Sequence, residues 1–331
     1  MYYTAAMQRR CSVTKFKVVI LDDRYSSYNQ ETEGLSELGI IPEVYWPETE
    51  EEAAAVLHDA DAVICNLYPL TDKLIRGMDK CRVISRYGVG YDNVDVDAAA
   101  EKGIAVCNVP DYAMEDASDH ALALLFGCIR KIAYRDRRIR EGGWNLHQDQ
   151  PCFRMAGKVL GVVGYGHIGS TLIRKISGFG FSRILVDDPR ADESHIKAAG
   201  GQKVSFDDVL TQSDYISIHC PLNSETENMF DAAVFSKMKE GAILINTARG
   251  PIVNEDELWK ALKSGKLAAA GIDVYNEDPL SAESPLRELD NITMTDHAAW
   301  YSEESIVELK TKAARNVIEV LSGAQPSYRV N

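Results

Sequence analysis

The segment with the clearest chemical spacing is Gly164-Tyr165-Gly166-His167-Ile168-Gly169. An apolar strand candidate, Val159–Val163, precedes it, and a helical stretch over residues 170–177 follows. In that setting Gly164 permits a tight turn, Gly166 lets the backbone approach a pyrophosphate, and Gly169 lets helix and strand pack closely. The helix N-terminus then offers N–H donors and positive potential to phosphates. Roughly 20 residues further on, the next strand candidate ends in Asp187-Asp188-Pro189. A carboxylate there accepts hydrogen bonds from ribose hydroxyls and repels a 2′-phosphate, which points to NAD rather than NADP. Asp188 is favoured because Pro189 marks the end of the strand, with Asp187 as the alternative.

Three more segments fall at the C-terminal ends of later strands, where ligands sit in open α/β sheets. They are Asn246-Thr247-Ala248-Arg249-Gly250, the run over residues 273–279, and His297-Ala298-Ala299-Trp300. Together they supply a guanidinium, a carboxylate and an imidazole.

The elements that must carry these groups alternate along the chain as short apolar runs and helical stretches, the pattern of parallel α/β units. Strands are expected over residues 17–21, 62–66, 82–86 and 104–108, with an acidic, Ala-rich helix over 48–58 whose Glu50, Glu51 and Glu52 suit a helix N-terminus. A single long helix is expected over residues 111–141, with an apolar face through Ala117, Ala121, Leu124, Leu125, Cys128 and Ile132. Its basic far end, Arg130 to Arg140, reads as a solvated face. A second series of strands is expected over 158–163, 183–187, 214–219, 242–246, 269–274 and 292–295, six in all, which fits a complete doubly wound dinucleotide domain. One further amphipathic helix, Glu303–Leu321, lies outside that set and is expected to return to the first domain. The expected division is a discontinuous domain of residues 1–110 plus 302–331 and an inserted domain of 111–301, with the ligand in a cleft between them.

Composition narrows the class. With 331 residues, 45% hydrophobic and 26% charged, the chain is an ordinary globular one of about two domains. No apolar run approaches the roughly 18 residues that span a bilayer. Against 36 Lys+Arg stand 50 Asp+Glu, a net charge of -14, so nucleic acid is not an expected partner. The seven cysteines (Cys11, Cys65, Cys81, Cys107, Cys128, Cys152 and Cys220) are scattered with no C-x-x-C pair, which argues for free thiols in a reducing, cytoplasmic setting and against a metal site. Residues 1–15 lack the apolar stretch of a signal peptide and are expected to form a short arm.

Taken together with Arg86-Tyr87-Gly88-Val89-Gly90-Tyr91-Asp92-Asn93-Val94-Asp95, His219-Cys220-Pro221-Leu222 and Gly271-Ile272-Asp273-Val274-Tyr275, these motifs resemble the D-isomer-specific 2-hydroxyacid dehydrogenases over nearly the whole chain. Within that family, the stretch from His297 to Glu303, with Arg86 before the Gly-x-Gly, is most similar to the C-terminal-binding-protein branch. The resemblance implies an α/β chain of two doubly wound parallel-sheet domains, a Rossmann NAD-binding domain inserted into a flavodoxin-like substrate domain. It implies interconversion of a 2-oxo acid and a D-2-hydroxy acid with NAD, by a homodimer with the 111–141 helix as candidate interface. Arg249 would clamp the substrate through its planar fork, and His297 would serve as acid/base because an imidazole titrates near neutrality. Asp278 would orient the imidazole and favour its charged form.

Two departures from the family pattern stand out. Asp278 replaces the usual glutamate, so either the backbone compensates for one missing methylene or the bond to His297 is longer. Asp296 stands where a proline is usual, either beside His297 or facing solvent. By the same resemblance, Arg86, Tyr87 and the amides of Gly88 and Val89 grip the substrate carboxylate, and Trp300 lines the side-chain pocket. Val89, Tyr165, His167, Ile168, His219, Cys220, Pro221, Thr226, Thr247, Ala248, Asp273 and Ala298 flank the cofactor, with Asp273 near the nicotinamide end. Tyr68 sits in a loop that could face the cleft. Two alternatives remain open: an NAD(H)-sensing corepressor-like binding protein with vestigial turnover, and a phosphoglycerate dehydrogenase, the latter disfavoured because no regulatory domain follows the last helix.

Overall fold

The computed structural model describes residues 16–144 and 151–331. The expected N-terminal arm and Cys11 lie outside the described residues. Among those described, the strands form two all-parallel sheets. The chain packs as two units, one running to Tyr112 and resuming at Glu303–Asn331, the other spanning Ala113–Ser302.

In the first unit, β1 (Val18–Leu21), β2 (Glu43–Tyr45), β3 (Ala62–Cys65), β4 (Val83–Arg86) and β5 (Ala105–Cys107) are ordered β2-β1-β3-β4-β5, the flavodoxin-like order. Four of them fall within expected runs because both faces of a parallel sheet are covered, so they read as unbroken apolar segments. β2 was not expected. It is an edge strand whose three residues are all exposed, so it carries no burial signature. The helix Glu303–Leu321 returns to this unit and buries Leu309, Ala313, Val317 and Leu321, spaced four apart. Polar bonds fix its register on the sheet: Ser85 Oγ donates to the Ala313 carbonyl at 2.9 Å, and Asn316 Nδ2 donates to the Asn108 carbonyl at 3.0 Å.

In the second unit, β6 (Val159–Val163), β7 (Arg183–Asp187), β8 (Gln202–Lys203), β9 (Tyr215–Ile218), β10 (Ala242–Asn246), β11 (Leu267–Ile272) and β12 (Ile292–Met294) are ordered β12-β11-β10-β9-β6-β7-β8. The six expected strands are all present, but the third strand of the doubly wound order is β8, two polar residues that give no apolar run to read. β12 therefore extends the opposite edge as a seventh strand. Strand order reverses between β6 and β9, which places a crevice at their C-terminal ends.

The long helix expected over 111–141 is two helices, Met114–Arg130 and Ile132–Arg140. The break is Lys131, in the left-handed region at φ 57°, its Nζ donating to the Ala268 carbonyl at 2.9 Å. A lysine gives no local warning of such a break. The first helix buries Ala117, Ala121, Leu124, Leu125 and Cys128 against the sheet, whereas the second buries nothing.

Candidate active site

β6 ends at Val163, and the chain turns at Gly164, whose φ is +98°. A side chain there would place its Cβ 2.5 Å from the Cys220 amide nitrogen, and a Cβ on Gly169 would collide with the Gly164 carbonyl. Around Gly166, in contrast, a Cβ meets nothing within 4 Å, so that face of the turn is open. The following helix begins at His167, earlier than the expected 170, because the last residues of the glycine motif are themselves its first turn. No side chain caps it at Gly166, which leaves its first N–H groups available to an anion.

Asp188 is tied to this turn. Its Oδ2 accepts from the Tyr165 amide at 2.7 Å, and its Oδ1 accepts from the amides of Arg190 at 2.8 Å and Ala191 at 3.1 Å. Burial and the adjacent Asp188 push the Asp187 carboxyl up, against the opposing charge of Lys203. Across the crevice, burial pushes the His219 imidazole down to about 4 and the Cys220 thiol up to about 12, so both are neutral near pH 7. Thr226 fastens the next loop, its hydroxyl donating to the Pro221 carbonyl at 2.6 Å.

The turns after β10, β11 and β12 are laced to one another. At the end of β10, buried Asn246 donates to the Arg249 carbonyl at 2.9 Å and accepts from the Ala248 amide at 3.0 Å, shaping the turn that carries Arg249. A Cβ on Gly250 would collide with the Tyr275 carbonyl group, so this turn lies directly on the one after β11. The Asp273 amide donates to the Asn246 carbonyl at 3.0 Å, joining the same two turns. Asp273 is fully buried; its Oδ1 accepts from the Ala298 amide and its Oδ2 from the Ala299 amide, both at 2.9 Å. The His297 amide donates to the Asp273 carbonyl at 2.9 Å, and His297 itself is left-handed at φ 57°.

His297 Nδ1 and Asp278 Oδ2 are 2.7 Å apart. A carboxylate only accepts, so Nδ1 carries the hydrogen and Nε2 is left as the nitrogen that exchanges a proton. The shorter aspartate thus reaches the imidazole at full hydrogen-bond distance, and the bond is not lengthened. Asp296 is exposed. Trp300 is half-buried and meets Tyr301 edge-on at 5.9 Å.

In the first unit, Arg86 at the end of β4 is buried, and its Nη1 donates to the Tyr87 carbonyl. The guanidinium fills the place where a Cβ on Gly88 (φ +125°) would lie. The Tyr87 hydroxyl donates to Glu31 Oε1 at 2.5 Å, and Lys310 Nζ lies 3.7 Å from Glu31 Oε2. The Gly88 and Val89 carbonyls accept from the Val109 amide at 2.9 Å and from Asn108 Nδ2 at 2.7 Å, while their own N–H groups have no partner among the described residues. Tyr68 is buried and donates its hydroxyl to the Thr49 carbonyl at 3.3 Å.

Residues 122–299 match the family model described as D-isomer specific 2-hydroxyacid dehydrogenase, NAD binding domain. The chain is 37% identical over 277 residues to a glyoxylate reductase of Korarchaeum cryptofilum, covering 82% of this chain and 83% of the relative. The chain belongs to the D-isomer-specific 2-hydroxyacid dehydrogenase family. Among solved structures it is similar to a glyoxylate reductase from Paecilomyes thermophila, with TM-score 0.86 and 28% identity over 96% of this chain and 98% of that one. It is also similar to a D-lactate dehydrogenase from Aquifex aeolicus solved with NAD and lactic acid, with TM-score 0.84 and 26% identity over 93% and 96% of the two chains.

This dehydrogenase is an NAD-dependent oxidoreductase, and its own residues fit the cofactor. The open side of Gly166, the uncapped helix after it and Asp188 beside it form one cradle. The buried Thr247 hydroxyl has no hydrogen-bond partner among the described residues, as expected of a group reserved for a ligand. Also among the described residues, no cluster of His, Cys, Asp or Glu could hold a metal, every cysteine is a free thiol, and no helix is long and apolar enough to cross a membrane. Reading the sequence missed His120 and Thr295, which join the site through Asp273. Thr295 ends an expected strand and His120 sits mid-helix, so neither carries a local signal.

Proposed function

We propose that the dehydrogenase reduces a 2-oxo acid to the D-2-hydroxy acid with NADH, the second unit holding the cofactor. Bound NADH supplies a hydride to the substrate's second carbon. His297 gives the proton on Nε2 to the ketone oxygen, and the neutral imidazole is then reprotonated from water. Asp278 accepts the Nδ1 hydrogen and so fixes the ring's tautomer and orientation. Arg249, permanently charged, polarises the carbonyl and pairs with the carboxylate. Arg86 and the unpartnered N–H groups of Gly88 and Val89 are assigned the carboxylate, and Trp300 the side-chain pocket. Gly164 through Gly169 are assigned the pyrophosphate, Asp188 the ribose, and Thr247, Ala248, His219, Cys220, Pro221, Thr226, Ala298, Asp273 and Val89 the surroundings of the cofactor. The reading rests on the His297–Asp278 pair, because it leaves a single imidazole nitrogen for proton exchange on turns laced to the one carrying Arg249.

Steady-state rates with NADH and NADPH on glyoxylate, pyruvate, hydroxypyruvate, phenylpyruvate and branched 2-oxo acids test it. Turnover with NADH preferred is the expected result. NADH binding without turnover on any of them would transfer the chain to the cofactor-sensing class. We also infer a cytoplasmic homodimer. Its support is the free thiols and the large apolar side chains exposed over residues 132–153, namely Ile132, Ile139, Trp144 at 90% exposure and Phe153. Sedimentation at the mass of one chain would remove the dimer.

A further inference from the structure

We propose that His120, on the helix Met114–Arg130, is a positioning residue for the acid/base histidine, acting on it through Thr295 and Asp273 without touching substrate. This rests on the reading of His297 as the proton donor. His120 Nε2 lies 2.9 Å from Thr295 Oγ1, and Thr295 Oγ1 lies 2.5 Å from Asp273 Oδ1. These contacts have one consistent polarity. Burial alone would push the Asp273 carboxyl up, yet hydrogen bonds from His120, Thr295 and the Ala299 and Ala298 amides hold it below the usual carboxylate range. An ionised carboxylate only accepts, so the Thr295 hydroxyl gives its single proton to Asp273. That oxygen must then accept from His120, which fixes a hydrogen on Nε2 of His120. His120 Nε2 also stands 3.4 Å from Asp273 Oδ1 itself.

The far end of this chain is the His297 turn. A left-handed residue other than glycine is strained and persists only where its surroundings over-determine it. Asp273 does so with three bonds on consecutive residues, its carbonyl accepting from His297 and its carboxylate from Ala298 and Ala299. The carboxylate can hold that pose only while its remaining lone pairs are met, because an unsatisfied buried charge is costly. Thr295 and His120 meet them from β12's end and from a different helix. Loss of the His120 donor lets Thr295 and then Asp273 re-orient, and a displacement of about 1 Å at a reacting group costs on the order of 100-fold in rate.

The test uses the full-length protein with NADH and a 2-oxo acid that it reduces. His120→Leu is expected to lower kcat about tenfold or more, with the KM for the oxo acid within about twofold, and to raise the solvent deuterium isotope effect on kcat. His120→Gln, whose side-chain amide also donates, is expected to restore most of the loss. Thr295→Val should reproduce the His120→Leu effect and Thr295→Ser should not, which covers the case in which His120→Leu fails to fold. In a His297→Ala background, adding His120→Leu should change the residual rate by less than about twofold. Unchanged kcat and isotope effect in folded His120→Leu, or an equal loss in His120→Gln, would overturn the proposal while leaving the acid/base reading intact. Undiminished turnover by His297→Ala would overturn the acid/base reading itself.

Discussion

Arg86 closes one parallel strand and Arg249 follows the end of another, and each comes shortly before a glycine with no room for a side chain. They are held by opposite means. The space beside Gly88 is filled by Arg86's own guanidinium, whereas the space beside Gly250 is filled by the Tyr275 main chain. The carboxylates behind them also differ. Burial pushes Glu31 up, and among the described residues its second oxygen has no hydrogen-bond partner, with Lys310 at 3.7 Å. Asp273, just as deeply buried, is held low by the Thr295 hydroxyl, the Ala298 and Ala299 amides and nearby His120. The strand end assigned proton chemistry rests largely on main-chain contacts, with the Asp273 carboxylate oxygens satisfied. One assigned only to grip an anion is built from side chains and leaves slack.

That contrast can be broken at the two carboxylates first. Asp273→Asn puts an amide NH₂ against backbone N–H groups and should cost about 4 kcal/mol of stability, together with most of kcat. Glu31→Gln should cost about 1 kcal/mol and leave kcat nearly intact. Denaturant melts with steady-state rates read both, and equal losses would erase the distinction. Next come the glycines. Gly250→Ala must move backbone and should cost about 3 kcal/mol, lowering Tm by roughly 6–12 °C. Gly88→Ala displaces a flexible side chain at a positive φ, costs about 1–2 kcal/mol, and should act mainly by raising the KM for the oxo acid. If the two glycine variants melted alike, main-chain and side-chain filling would be equivalent.

Smaller effects sharpen the picture. Asp278→Glu should keep kcat within about tenfold, since the turn already delivers a carboxylate at 2.7 Å; a larger loss shows the backbone to be fitted to the shorter side chain. The weakest effect is on pH dependence. His219 titrates at about 4 in the fold and about 6.5 when unfolded, so the unfolded chain takes up its proton first as pH falls. The stability due to the neutral imidazole is complete above about pH 6.5 and shrinks towards pH 4. Asp273, held below its unfolded value, gives stability that is lost only at still lower pH. His219→Gln should therefore flatten Tm between pH 7 and 4.5, and an unchanged slope would exclude His219 as its source.

Most strands of both sheets were legible because a parallel sheet covered on both faces requires unbroken apolar runs. What was illegible is physically specific. β2 and β8 are short edge strands with polar residues, and the break at Lys131 is a left-handed cap made by a residue that does not advertise one. Among the assigned residues, Gly164, Gly169, Asp188, Arg249 and His297 stand out by residue type near a strand end, and Asp278 by the family resemblance. The support for them does not, since the bonds from His120 to Thr295 and from Tyr87 to Glu31 span 175 and 56 positions and leave no local pattern.

The return of Glu303–Leu321 to the first sheet also sets an order of assembly. Everything needed for the unit Ala113–Ser302 is synthesised before the helix that bonds Ser85 and Asn108, and the Val330 amide that bonds the Val106 carbonyl at 2.9 Å comes later still. On the ribosome the cofactor unit can therefore close while the first sheet still lacks one of its covering helices. Its cofactor can arrive before the other unit has finished folding.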